Sequence, residues 1–170
     1  MLAPLSITGR LALIVVLALP ATAFADSIDM LLAKEAPKIV KRLAKGGFET
    51  VAVMPFRVRN PETGVAIKGA MIQTNFAAKL ERALAAAYDR EQPVQIVFDA
   101  WDQIQQENPG ASILTADGRK SIFQHTFDLP VAAPPTKIDA FLTGIIQPSA
   151  DYRTTTVSFE LCAADRPGQL

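Results

Sequence analysis

The sequence predicts an α/β protein (α+β in the order of its later elements), with one mixed sheet of βαβαββ order, helices packed on it and an N-terminal helix in front. Three observations lead there. The stretch Val51-Ala52-Val53-Met54-Pro55-Phe56 is apolar at successive positions, as in a strand covered on both faces. Residues 70–88 repeat their apolar side chains at helical spacing. The last two apolar runs, 138–146 and 154–162, are separated by a short turn, which makes them antiparallel neighbours.

At the N-terminus, Arg10 precedes an unbroken apolar run, Leu11 to Leu19, closed by Pro20. Ala23 and Ala25 then follow as an A-x-A pair, the small side chains that a signal peptidase pocket admits. A membrane-spanning helix takes roughly 20 apolar residues, and this run is shorter. The expectation is a cleaved export leader over residues 1–25, a helical segment over 26–46 and an α/β domain over 47–170. Asp26 stands where a lipoprotein needs cysteine, and twin arginines are missing, so the expected product is a periplasmic protein without a lipid anchor, sent by the general secretion route.

Residues 27–45 read as a helix with Ile28, Leu31, Leu32, Ile39 and Leu43 near one face. Pro37 is expected to break or kink it, and Gly46-Gly47 to end it. After the first strand, where Pro55 belongs at an end or a bulge, residues 60–69 read as a loop. The helix of 70–88 carries Ile72, Phe76, Leu80, Ala83, Leu84 and Ala87 as its stripe. A strand at 94–98 leads to a helix that starts near Trp101 and stops at Asn108-Pro109. Asp117-Gly118 suggests a hairpin over 113–127, and Pro130 with Pro134-Pro135 an irregular link. In the final strand Val157, Phe159 and Leu161 alternate with Ser158, Glu160 and Cys162, the period of a sheet with one buried face.

The chain has 17 basic and 17 acidic groups, a balance without the footprint of a nucleic-acid or anionic-membrane binder. Cys162 is the only cysteine, so no disulfide framework supports the fold. A buried thiol is the expectation for it, with an intermolecular disulfide as the alternative.

The string Val51 to Phe56, the helix after it, the strand 94–98 and the closing pair Phe141-Leu142-Thr143-Gly144-Ile145-Ile146 and Thr156-Val157-Ser158-Phe159-Glu160-Leu161 resemble the N-terminal domain of TolB and the related periplasmic domain of the CsgG family. The resemblance implies a βαβαββ domain like the anticodon-binding fold, used in the envelope for protein contacts and not for catalysis. This sequence lacks the β-propeller that follows in TolB-like proteins, and lacks the lipoprotein cysteine and long pore-forming hairpins of the CsgG type. An N-terminal docking or sensor part of a longer, truncated protein is therefore a further reading.

Residues that carry chemistry are few. The one histidine, His125, has no G-x-S-x-G motif to serve, and one His with one Cys makes no metal spacing. Lys68 precedes Gly69 instead of following it, and no Ser or Thr comes next, so the glycine loop is not a P-loop. Asp99 and Asp102 flank Trp101 as a pair suited to acid–base work, but Asp102 also suits the first turn of a helix. No catalytic, cofactor or metal residue is assigned. Phe98 and Trp101 are the candidate protein-contact residues, with core packing as the competing reading for Trp101. The expected function is a non-enzymatic periplasmic binding or scaffold domain that contacts another cell-envelope protein. The alternative is an exported hydrolase that uses His125 with Asp128 or Asp99.

Overall fold

The computed structural model describes residues 13–18, 24–67, 71–91, 93–129, 134–151 and 153–167. Of the leader signature, residues 13–18 of the apolar run and Ala25 lie within them, whereas Arg10, Leu11, Ala12, Leu19, Pro20 and Ala23 lie outside, as do Lys68, Gly69 and Pro130. No helix among the described residues is long and apolar enough to cross a membrane.

The chain runs β1 (Leu13–Ala18), α1 (Phe24–Lys45), β2 (Thr50–Val53), β3 (Arg57–Arg59), β4 (Ala66–Ile67), α2 (Met71–Ala86), β5 (Gln95–Val97), α3 (Ala100–Glu107), α4 (Ala116–Gln124), β6 (Ala140–Pro148) and β7 (Thr154–Ala163). The main sheet has the order β1-β7-β6-β2-β5. β2 lies parallel to both β5 and β6, whereas β7 is antiparallel to β6 and to β1. The sheet is mixed, and the strands β2, β5, β6 and β7 with their helices follow the βαβαββ order.

Both faces of β2 are covered because its alternating residues enter two different cores. Val51 and Val53 join Leu32, Leu43, Leu80 and Leu84 under α1 and α2. Ala52 and Met54 join Ile104, Ile122 and Phe141 under α3 and α4. The result is three layers, helix on sheet on helix. Within the first core Phe56 meets Phe76 edge-on at 4.8 Å and Phe159 at 5.6 Å, arrangements that suit the ring quadrupoles.

The N-terminal helix belongs to this core. Leu32, Ala36, Ile39, Val40 and Leu43 on α1 are all buried. Of the break or kink expected at Pro37 the break does not occur, since the helix continues from Phe24 to Lys45. Pro37 sits on the exposed side. Its cost of about 3 kcal/mol is outweighed by several buried side chains worth about 1.5–3 kcal/mol each. The helix ends as predicted: Gly47 has φ +78°, the Phe48 N–H donates to the Leu43 carbonyl at 3.1 Å, and the Gly47 N–H to that of Ala44 at 3.0 Å.

Pro55 lies at a bulge. Val53 pairs with Leu142 and Arg57 with Ile145, so the first chain spends one more residue than β6 over the same span. The buried Thr143 hydroxyl donates to the Pro55 carbonyl at 2.8 Å and holds the bulge closed. Gly144 beside it leaves room for the Phe56 ring, since a Cβ there would stand 2.8 Å from Phe56 Cε1 and 1.9 Å from the Ser158 carbonyl oxygen.

Two sequence expectations are corrected. Residues 60–69 are not simply a loop: β3 and β4 pair antiparallel around a turn that Asn60 organises, its side-chain oxygen accepting from the Glu62 and Thr63 amides. Residues 113–127 are not a hairpin, because Ala116–Gln124 is α4. Thr115 caps that helix by accepting from the Gly118 N–H at 3.1 Å, so Asp117-Gly118 falls in a first helical turn and not in a β-turn. The Pro134-Pro135 region is closed by an isolated bridge between Phe127 and Thr136.

Candidate functional site: an open groove along the β5 edge

β5 has β2 on one side and ends the sheet order on the other. The Gln95 N–H donates to the Glu49 carbonyl at 2.7 Å, so Gln95 turns its backbone inward to β2. In a parallel ladder alternate residues turn the other way, which points the N–H and C=O of Ile96 outward. Beside this edge lies an open groove of about 970 Å³, walled by Phe48, Tyr88, Pro93, Val94, Ile96 and Phe98. Lys45, Glu49 and Glu91 give it a rim of mixed charge.

Local sequence explains each wall. The glycine cap of α1 turns the chain so that Phe48 packs back on the core. Asp139 then fixes the entry of β2, its Oδ2 accepting from the Glu49 and Thr50 amides at 2.9 Å each. Tyr88 follows the last turn of α2 and is 55% exposed, an aromatic side chain left in solvent at the groove. Val94 and Ile96 are buried, so the groove offers backbone and ring surface more than aliphatic side chains.

The two sequence candidates separate. Phe98 is half-buried and lines the groove. Trp101 is half-buried against the second core, with Ala111, Phe123 and Leu129 as its partly buried companions there. Gln103 ties this corner together, its amide donating to the Phe98 carbonyl at 3.1 Å while its oxygen accepts from the Asp128 N–H at 3.0 Å.

At the carboxyl end of β5 the chain crosses from the α2 face to the α3 face, the position where open α/β sheets bind ligands. Asp99 caps α3 in a left-handed conformation, φ 52°, without a side-chain capping bond. Its N–H points at the Glu81 carboxylate, 3.4 Å away. Glu81 is only 5% exposed. Burial pushes its pKa up to about 7, and the Asp99 and Asp102 charges add to the rise against the Asp99 N–H bond and Arg82. The sequence reading missed Glu81. A signal existed, because Glu81 stands four residues after Ala77 and three before Leu84, inside the buried stripe.

His125 follows α4, its ring edge-on to Phe127 at 4.6 Å and its Nδ1 3.2 Å from Glu107 Oε2. Its acid neighbour is thus Glu107 in place of Asp128 or Asp99. The nearby Ser121 hydroxyl accepts from the Asn108 amide at 3.4 Å. Cys162 is buried in the second core, where desolvation pushes its thiol up to about 11 in spite of Arg119. Among the described residues no three His, Cys, Asp or Glu side chains gather to hold a metal ion.

No family model matches the chain, and neither a curated protein nor a solved structure matches it.

Proposed function

We infer that this chain is a non-enzymatic binding or scaffold domain of the cell envelope, working in the periplasm after export, that takes an extended segment of another envelope protein along the β5 edge. The observation that carries this reading is the open edge with an aromatic groove beside it. An added strand would gain main-chain hydrogen bonds from Ile96, with Phe48, Tyr88 and Phe98 as surface for its side chains. The leader-like run of residues 11–19 and the TolB- and CsgG-like strand pattern support the location. The mixed rim charge and the chain's even charge balance favour a protein segment over a polyanion.

Affinity purification from envelope extract tests the reading. The wild-type protein should retain a partner that Tyr88→Ala and Phe98→Ala lose and that Lys120→Ala, on the far helix layer, keeps. Retention unchanged by both groove variants, or no partner under any cross-linking condition, counts against it.

A further inference from the structure

β7 has ten residues and is bonded to β6 along its length. The Ser149 N–H donates to the Thr154 carbonyl and the Ala164 N–H to the Asp139 carbonyl, both at 2.8 Å. These two bonds mark the even-numbered residues as the ones that bond towards β6. By the alternation of an antiparallel ladder, Thr155, Val157 and Phe159 turn their N–H and C=O groups away from it. What they face is β1: Leu17 stands opposite Thr155, Val15 opposite Val157 and Leu13 opposite Phe159. The segment that covers this edge therefore lies inside the apolar run of the export leader. Cleavage after Ala25 would take all of β1 away and leave the edge bare, with α1 retained from Asp26 onward.

We propose that the edge of β7 uncovered by leader removal pairs antiparallel with the same edge of a second copy of this chain, about a two-fold axis beside Val157. The inference rests on the export reading above. β1 runs antiparallel to β7, so the edge accepts a strand of that direction. A two-fold axis perpendicular to the sheet generates the same direction from β7 itself, and such self-complementary contacts are the commonest form of oligomer. With Val157 opposite its own copy, Thr155 falls opposite the second copy's Phe159, so every outward-turned residue meets another outward-turned residue.

The edge is also unguarded. Exposed edges are ordinarily protected by lysine, proline or a bulge, and Thr154 to Phe159 contains no charge and no proline. Charges stand only at its two ends, Arg153 before it and Glu160 after it. Glu160 is held by the Arg57 guanidinium, so its charge is already matched when a second strand arrives. Thr154, Thr155, Thr156 and Val157 are β-branched and suit a pleated surface on which two sheets join into one.

The test compares the protein purified from the envelope with its precursor held in the cytoplasm. Light scattering should give a dimer for the processed chain and a monomer for the precursor. Amide exchange at Thr155, Val157 and Phe159 should be slow in both; it should become fast at Val157 and Phe159 in processed Thr155→Pro, where position 155 has no amide hydrogen, and at all three in processed Thr156→Lys, and each variant should return to a monomer with the remaining sheet amides still protected. A processed wild-type monomer with fast exchange at these three amides overturns the pairing. So does a dimer whose three amides exchange fast, or a precursor that dimerises through them. Intact mass separates the two claims: a purified envelope chain that still begins at Met1 overturns the export reading and the pairing with it, whereas a processed monomer overturns the pairing alone.

Discussion

Replacing Glu81 with Gln should stabilise the protein above neutral pH and leave its stability nearly unchanged in acid. Glu81 is 5% exposed and its pKa is raised from 4.5 to about 7, chiefly by burial. A carboxyl whose pKa is higher in the folded than in the unfolded chain contributes its full stability below the unfolded value and loses it as pH rises through the folded value. The loss therefore runs from about pH 4.5 to above pH 7. At about 1.36 kcal/mol for each unit it amounts to about 3 kcal/mol, or about 2 kcal/mol after a discount for residual solvent screening. Gln keeps an oxygen to accept from the Asp99 N–H and cannot ionise. Urea unfolding of wild type and Glu81→Gln at pH 4.5, 6 and 8 reads the effect directly. The variant should gain with pH relative to wild type, by about 2 kcal/mol at pH 8. A difference that stays constant over that range, or that favours the wild-type protein more as pH rises, would refute the reasoning.

Other substitutions probe the packing. Gly144→Ala places a Cβ 1.9 Å from the Ser158 carbonyl oxygen, so it should destabilise by about 3 kcal/mol or more, read as a lower midpoint in thermal unfolding. Arg119→Met removes the guanidinium that donates to the Pro167 carbonyl at 2.6 Å and the Ile113 carbonyl at 2.9 Å, and should cost about 2 kcal/mol or more in denaturant unfolding. Gly47→Ala forces a side chain into φ +78° at the end of α1 and should cost about 1 kcal/mol in the same assay. Trp101→Ala should lower stability, because the ring packs on the second core, while leaving partner retention intact; Phe98→Ala should do the reverse.

The parts of the fold legible in the sequence were those whose pattern repeats a local period. The double-faced run of Val51 to Met54, Phe76, Leu80 and Leu84 on α2, and Val157 and Phe159 in β7 are seated inward as their patterns state. The single buried face expected of β7 is corrected at its end, where Leu161 is half-buried and Cys162, on the opposite face, is buried in the second core. Asp117-Gly118 misled because the same pair serves a β-turn and a helical first turn; Thr115 two residues earlier was the cap that decides between them. The expected break at Pro37 does not occur because its local cost is outweighed by burial of the face that Leu32, Ile39 and Leu43 already mark in the sequence, to which the packed structure adds Ala36 and Val40. The groove was half legible. Phe98 could be singled out as an aromatic at a strand end, but Phe48 and Tyr88 follow two different helices and lie forty residues apart in sequence, and no local pattern joins them.

Site-specific photo-cross-linking in the envelope tests the central claim, that the β5 edge is the binding surface, most directly. A probe at Gln95, exposed on β5, should give one discrete adduct that Phe98→Ala abolishes, and a probe at Lys120 on α4 should give none. An adduct from Lys120 with none from Gln95, or equal adducts from both, would contradict it.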